Sequence, residues 1–502
     1  MHIERELKFR LPPDAKSRLW LLLPGPPVCE RRRLHSTYYD TPDFRLRNAG
    51  AALRVRRDGR RRVICFKCES PGAHGIPQRR EWEAAAADGK FSPELLPYEE
   101  IRAATDIDLW RLRAAMVPVF STRFVRCSAE VSPRAGTRVL VCLDTGAITA
   151  GRLRDPLLEL ELELLAGSAR SMLTLAEDLV EPLRLELDGR SKADRGYRMV
   201  EGRPGRPLKA RSLQLERGVS AETTMLAVLS NCRDQVLGNL FGTTHSHNPE
   251  FLHQLRVGLR RLRSALRTFG PLVSERRLRP LARELKGLVS QLGNARDWDV
   301  FCATLSQRSA SLAGPAPEAL RLLKRARAKR NAALKHARDT LGSPAFHRFL
   351  LHLMGWMEDA AGHKRGARRA PSRPAVQFGR RALARQERKA VRRADGIKWS
   401  DPRARHRLRI VVKRLRYACE FFSELLPKKS TRRYLVRLEA VQDVLGELND
   451  IAVGRNLLRE VERGADDAEV AMVRDLMQAR ERLLVKRLGA VWREWRKEAQ
   501  FG

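Results

Sequence analysis

Two periodicities divide the chain. Over the first two hundred residues apolar and polar positions alternate with period two, the mark of strands with unlike faces. In the opening "MHIERELKFR", Glu4, Glu6 and Lys8 share one face, while Ile3, Leu7 and Phe9 share the other, with Arg5 breaking the apolar side. "LRVRRDGRRRVICFK" predicts a hairpin turning at Asp58-Gly59, a dipeptide suited to a tight type I′ turn. Similar runs follow at "QRREWEA", "VFSTRFVRCSAEV", "TRVLVCLDTGAITAG" and "LLELELELL", with short helical patches only near 14–23 and 169–181. Several antiparallel strands of this kind predict a closed barrel, because closure removes exposed edges.

The Gly-, Pro- and Arg-rich stretch 201–212 reads as a linker, after which the period becomes helical, interrupted again at "HKRGARRAPSRPA". The helical part repeats itself. "HQLRVGLRRLRSALRTF" from His253 matches "HRLRIVVKRLRYACEFF" from His406 at an offset of 153, and the same offset aligns "LGNARDWDV" with "LGELNDIAV" without a gap. Gapless identity over that span indicates duplication. The expected architecture is α+β with two domains: an eight-stranded antiparallel β-barrel with flanking helices, then an all-α duplicated bundle with pseudo-twofold symmetry. The boundaries are 1–203 for the barrel, 204–214 for the linker and 215–502 for the bundle, with repeats at about 215–363 and 376–502.

Charge sharpens this division. The 502 residues carry a formal charge of +39; residues 1–200 hold 35 basic and 28 acidic residues, whereas 201–502 hold 63 and 31. The helical half is therefore the polycation, and a polyanionic partner is expected: nucleic acid, a membrane surface or polyphosphate. No apolar run nears 18 residues and no signal-like start is present, so a cytoplasmic protein without membrane insertion is expected. The eight cysteines are scattered. Cys65 and Cys68 form a single CxxC whose members point to opposite faces of a strand, and His245 and His247 are too few for a metal site.

The charges of the first half follow strand parity. Arg54 and Arg56 lie opposite Leu53 and Val55; Arg79, Glu81 and Glu83 lie opposite Arg80 and Trp82; Glu159, Glu161 and Glu163 alternate with leucines. One such strand would read as a solvated edge. Repetition over several strands, each with an apolar face fit for burial beneath helices, points to a charged lumen. Carboxylates there suit hard divalent cations, and Arg and Lys suit phosphate oxygens, a combination fitted to a polyphosphorylated substrate that arrives with its metal. No Walker-type glycine loop is present.

The residues "ERELK", "YYDT", "LRVR", Lys67, "RREWE", "FSTRFVR", "LDTG", "ELELEL" and "SKADRGY" occur in an order that resembles the CYTH domain, a triphosphate tunnel metalloenzyme, over nearly the whole first half. The resemblance implies an eight-stranded tunnel barrel and, for the bacterial subgroup it is nearest to, an inorganic triphosphatase using Mg²⁺ or Mn²⁺. It implies that Glu4, Glu6, Glu161 and one of Glu159 or Glu163 hold metal, with Asp144 an acidic position near the site. It assigns Lys8, Arg54, Arg56, Lys67, Arg79, Arg126 and Lys192 to phosphate binding, and places Glu4, Glu6, Lys8 and Lys192 at the chemistry. Arg123 competes with Arg126, since the two have opposite parity; the family motif favours Arg126.

The helical half resembles the CHAD domain, a conserved-histidine helical module, through its two "HxLR…RLR" helices and its "LGxxxDxxV" segments. His253, Arg256, Arg260, Arg263 and Arg267 follow a 3-4-3-4 spacing that makes one helix stripe, and His406, Arg409, Lys413 and Arg416 reproduce it. The resemblance implies binding of inorganic polyphosphate by these stripes, without chemistry, and location at polyphosphate granules. Competing readings are a class IV adenylyl cyclase or a thiamine or nucleoside triphosphatase on the same tunnel charges, and a non-catalytic polyphosphate-binding protein. A nucleic-acid partner is disfavoured by the few aromatics and the absence of a reading motif.

Overall fold

Strands form where the period-two alternation places them, because each has an apolar face to bury under helices. The computed structural model describes residues 1–502 apart from 26–27, 71–74, 87–91, 203–204, 312–316, 367–372, 463–467, 500 and 502. Its strands are β1 (His2–Arg10), β2 (Glu30–Asp40), β3 (Ala51–Asp58), β4 (Arg61–Glu69), β5 (Gln78–Ala85), β6 (Val117–Arg134), β7 (Thr137–Ala150), β8 (Leu153–Ala166) and the two-residue β9 (Glu186–Leu187). Neighbours run β5-β4-β3-β2-β6-β7-β8-β1, and β1 also pairs with β5, so the eight long strands close into an antiparallel barrel with β9 flanking β1. The β3–β4 loop is Gly59-Arg60, one residue later than expected, because Asp58 pairs with Arg61; Gly59 carries the positive φ of +58°.

The helices are α1 (Lys16–Leu21), α2 (Arg45–Asn48), α3 (Tyr98–Thr105), α4 (Leu109–Leu112), α5 (Ala169–Leu183), α6 (Lys192–Val200), α7 (Ala221–His245), α8 (Pro249–Thr268), α9 (Glu275–Gln291), α10 (Gly293–Ser311), α11 (Pro317–Leu341), α12 (Pro344–Gly366), α13 (Ala375–Ala394), α14 (Pro402–Phe422), α15 (Lys428–Val461) and α16 (Ala468–Lys497). Among the described residues none is long and apolar enough to cross a membrane. Two compact units result, one of Met1–Leu208, Leu237–Ser246 and Gly342–Gly366, the other of Lys209–Val236, His247–Leu341 and Ala367–Gly502.

In the first unit Leu53, Ile64, Phe66 and Trp82 point outward and pack with Ile101 of α3 and Leu109 of α4. Tyr38, which pairs with Arg54 and so shares its lumen side, packs with Phe120, Ile148 and Tyr197 of α6. Asp40 of "YYDT" is fully buried and structural: it accepts from Thr41 N (2.7 Å), Leu46 N (2.9 Å), Arg47 N (3.0 Å) and the Tyr197 hydroxyl (2.8 Å), fixing α2 and α6 to the barrel. Helix α12 belongs to this unit, with Phe346, Phe349, Leu350, Leu353, Met354 and Met357 all buried and the helix lying along α5.

The second unit carries the duplication. At offset 153, α8 and α14 begin on equivalent prolines, Pro249 and Pro402, behind equivalent caps, Asn248 and Asp401. Helices α9 and α10 together correspond to the single α15. The interruption at Leu292-Gly293 is passed through at Leu445-Gly446, so the same dipeptide ends a helix once and continues one once; tertiary context overrides propensity. The equivalent Phe269 and Phe422 meet at the centre with ring centroids 5.5 Å apart. Just before α7 and α13, Ser220 bridges Pro374 antiparallel, bringing the starts of the two repeats together.

Gly196 sets how closely α6 lies on the barrel, since a Cβ there would come within 2.2 Å of the Phe120 ring. Gly196→Ala should destabilise the protein by about 1–3 kcal/mol through overpacking, read as a lower midpoint in denaturant unfolding.

Candidate active site

The inward face of every long strand bearing alternating charge delivers it to one cavity of about 280 Å³. Its wall includes Glu4, Glu6 and Lys8 from β1, Arg54 and Arg56 from β3, Lys67 from β4, Arg79, Glu81 and Glu83 from β5, Arg126 from β6, Glu161 and Glu163 from β8, and Lys192 and Asp194 from α6. Arg126 faces the lumen and Arg123 is exposed, which resolves the competition between them. Both Cys65 and Cys68 border the cavity, but Cys68 is also packed in the apolar cluster of Leu53 and Trp82, whereas Cys65 donates to Glu81, so the two thiols do not act together. Arg5, which breaks the apolar outer face of β1, donates there to Glu358 at 2.7 Å.

Among the described residues the lining holds eight Lys or Arg and eight Asp or Glu, with Asp144 and Glu159 just behind it, and most of the cations lie against a carboxylate. Lys67 Nζ donates to Glu4 (2.7 and 2.8 Å) and approaches Glu81 (3.0 Å); Lys8 Nζ lies 2.8 Å from Glu6 and 3.4 Å from Glu161. Arg54 lies 3.7 Å from Glu81, and Arg79 lies 3.9 Å from Glu6. Lys192 sits among three carboxylates, 2.8 Å from Asp144, 2.6 Å from Glu159 and 2.8 Å from Glu161. Arg126 clamps Asp144 with two bonds of 2.7 Å and also bonds Glu161. Arg56 is the contrast: burial and the neighbouring Arg54 and Arg126 push its guanidinium below the ordinary arginine range.

These contacts set the protonation states. Burial raises the Glu81 carboxyl, yet Lys67 and Arg54 outweigh it and leave the group at about 2. For Glu6 burial acts upward and Lys8 prevails, holding it below the usual range. Burial dominates at Glu163, which is pushed up to about 7 with help from Glu4, and at Glu159, raised to about 7 despite Lys192. Burial disfavours the charged Lys192, but Asp144, Glu159 and Glu161 lift it well above an ordinary lysine.

The six carboxylates assigned to metal do not form one cluster. Asp144, Glu159 and Glu161 place a donor oxygen each within 4.8 Å of one another; Asp144 and Glu159 stand behind the cavity lining, fully buried. Glu4, Glu6 and Glu163 line the adjoining stretch of wall where β1 pairs with β8 and β5, and Lys8 between Glu6 and Glu161 links the two groups. All are hard oxygen donors, and Glu159 Oε2 is buried without a hydrogen-bond partner, so this wall fits a divalent cation of the Mg²⁺ or Mn²⁺ type. Sequence parity had already placed Glu81 in the lumen without a role; its link to Lys67, Arg54 and Cys65 (3.0 Å) appears only in three dimensions. Asp194 was legible only as part of "SKADRGY". It forms a capping box with Ser191 at the start of α6, which aims the first-turn Lys192 inward.

In the second unit the two basic stripes meet. Burial and the charge of Arg260 on α8 weaken the protonated form of Arg256 on the same helix, of Arg409 on α14 and, together with Arg409, of Lys413; Arg256 falls to about 10 and Lys413 to about 7. Arg263 and Arg267 face Arg414, a residue the stripe omitted, which burial and these two neighbours lower to about 10. Arg256 donates to Gly293 O at 2.8 Å and lies 4.0 Å from Asp297, whose carboxyl is raised by burial and by the equivalent Asp450. Arg416 donates to Gln442 at 2.6 Å and pairs with Glu420 at 2.7 Å. The two histidines differ. His406 bonds Asn449 at 2.9 Å, whereas His253 Nδ1 is buried without a partner, and burial with Arg296 drives its ring down to about 4.

A closed barrel with a paired-charge lumen, joined to a duplicated basic helical bundle, defines the class. The CYTH domain profile matches residues 2–197 and the CHAD domain profile matches 227–459. The chain is 28% identical over 202 residues to an inorganic triphosphatase of Haemophilus influenzae, a match covering 39% of this chain and 54% of that protein, so the chain spans about half the length of that relative. The crystal structure of the CHAD domain from the plant Ricinus communis is 32% identical, covers 57% of this chain and 96% of its own, and superposes with a TM-score of 0.50. The chain therefore belongs to the proteins that carry an N-terminal CYTH domain followed by a CHAD domain.

Asp144 holds two buried cations at once. Asp144→Asn should leave Arg126 and Lys192 with only Glu159 and Glu161 to share and cost about 1.5–3 kcal/mol, the range for hydrogen bonds to charged groups. Chemical denaturation at pH 7 checks this, a loss under 1 kcal/mol being the contrary result.

Proposed function

We propose that the barrel is a metal-dependent inorganic triphosphatase, hydrolysing triphosphate to pyrophosphate and phosphate, and that the helical unit binds inorganic polyphosphate. The observation that carries the first part is that the cations of the lumen, Arg56 apart, are already paired with carboxylates. A polyanion entering a closed wall whose cations are so engaged would leave net negative charge in a poorly solvated interior. A divalent cation that enters with it restores the balance: the carboxylates are then freed for the metal and their Lys and Arg partners for phosphate oxygens. Bound there, Mg²⁺ or Mn²⁺ would neutralise phosphoryl charge as water attacks the terminal phosphorus and the bridging P–O bond breaks. Glu4, Glu6 and Glu163, or Asp144, Glu159 and Glu161, are the sets that would hold it. Lys8, Arg54, Arg56, Lys67, Arg79, Arg126 and Lys192 would bind phosphate.

The likeness to the Haemophilus influenzae triphosphatase supports the same reading. So does the character of the wall. Its aromatic side chains, Tyr38 and Tyr197, are already engaged, Tyr38 stacked on Phe120 with centroids 4.5 Å apart and Tyr197 bonded to Asp40, so neither offers a free platform to a base or a thiazole ring. Glu6→Ala should lower triphosphate hydrolysis by about 10²-fold, the order seen when a group stabilising transition-state charge is removed. Phosphate release assayed with Mg²⁺ and with Mn²⁺ is the check, and a wild-type rate in the variant would refute the site.

For the helical unit, two equivalent stripes that depress one another's protonation form a surface short of negative charge. Affinity for a polyanion should fall steeply with salt. Lys413 gives a sharper test. Held at about 7 by burial, Arg409 and Arg260, it is largely neutral in the free protein at pH 8, and bound polyanion should restore its charge. Polyphosphate binding at pH 8 should therefore take up close to one proton, and affinity should strengthen as pH falls from 9 to 7. Calorimetry in two buffers of different ionisation enthalpy measures the uptake, which Lys413→Arg should abolish. Equal heats in both buffers for the wild type would contradict the assignment.

A further inference from the structure

The barrel is closed where β1 meets β5, and that seam is short: His2, Ile3, Glu4 and Arg5 pair with Glu81, Arg80, Arg79 and Gln78. It nevertheless sets the distance between the carboxylates of β1 and the charged residues of β5 across the lumen. At the Arg5–Gln78 end the next contact comes from far along the chain. Glu358 of α12 accepts from Arg5 Nη2 at 2.7 Å through Oε2 and from the Ile76 backbone N–H at 3.0 Å through Oε1. Its side chain is only 15% exposed, and Ile76 is fully buried. Gly75 has φ +73°, and a Cβ there would lie 2.5 Å from Glu358 Oε1, so the backbone ahead of β5 approaches the carboxylate as only glycine allows.

Helix α12 is held in the same unit by other contacts. His347 Nδ1 accepts from Leu187 N of β9 at 3.0 Å, Arg348 pairs with Glu181 of α5 at 2.9 Å, and the apolar face of the helix is buried. Yet residues 342–366 lie inside the segment matched by the CHAD profile and outside the one matched by the CYTH profile. We infer that Glu358 is a positioning residue for the tunnel, a staple across the β1–β5 seam supplied by the helical half, so that the complete hydrolytic unit includes α12. Glu358 acts through its two partners: by fixing Arg5 and Ile76 it holds Glu4 in register with Arg79, beside the seam's Glu81. The kinetic consequence rests on the triphosphatase reading; the structural consequence does not.

The test uses the full chain with Glu358→Ala and, should that variant fail to fold, Glu358→Gln, which keeps an acceptor for Ile76 but not the charge for Arg5. Glu358→Ala should raise KM for metal-triphosphate about tenfold, the order for losing a charged hydrogen bond, with kcat changed less than threefold. Amide exchange at residues 3–5 and 76–80 should quicken at least tenfold while exchange in α8 and α14 is unchanged; Glu358→Gln should shift both less. Unchanged exchange at the seam overturns the inference whatever the kinetics show, and so does quickened exchange with a wild-type KM in an active enzyme. If the wild-type protein does not hydrolyse triphosphate, the activity reading fails by itself, and seam exchange alone decides the staple.

Discussion

Charge buried inside a closed wall must be neutralised within that wall, and most of the first unit follows from this constraint. Each ammonium or guanidinium of the lumen except Arg56 has a carboxylate within reach, and Arg56 is pushed below its ordinary range. The outward apolar side chains require a coat of helices, which α3, α4, α5 and α12 provide. Closing the barrel and filling it with charge are thus one arrangement. A lumen open at an edge would hydrate its carboxylates and need no such pairing.

The same pairing explains how a site of this kind rests without substrate. Lys192 among Asp144, Glu159 and Glu161 occupies the position of a counter-cation, and Lys67 between Glu4 and Glu81 does so on the facing wall. Metal and phosphate exchanging for these internal partners would keep every charge compensated throughout. In the helical unit the arrangement is inverted. Like charges from two repeats are brought face to face with few acids between them, and the cost of that crowding appears as the depressed Lys413, Arg256 and Arg414. The lumen pairs its cations with carboxylates within one wall, whereas the helical stripes set cation against cation.

Much of this could be read from the chain. Strand parity sorted Glu4, Glu6, Lys8, Arg54, Arg56, Arg79, Glu161 and Glu163 onto the lumen side, because period two leaves a side chain only two directions. The offset of 153 paired α8 with α14 before any packing was known, because duplication preserves spacing. Parity could not separate Arg123 from Arg126 without the family motif, nor tell the wall-lining Glu163 from the deeply buried Glu159, since alternation fixes a face but not a depth. Arg414 escaped for a related reason: a stripe drawn on one helix ignores what the facing helix brings near.

The amino-acid sequence by itself determined which faces carry charge, that the helical half is duplicated and that its net charge calls for a polyanion, because these properties are local or periodic. Only the tertiary structure decided which charges pair, that Arg5 on the outer face of β1 meets Glu358 across 353 residues of chain, and that α12 belongs to the barrel's unit. Such contacts join positions with no spacing rule between them, and burial assigns their strength.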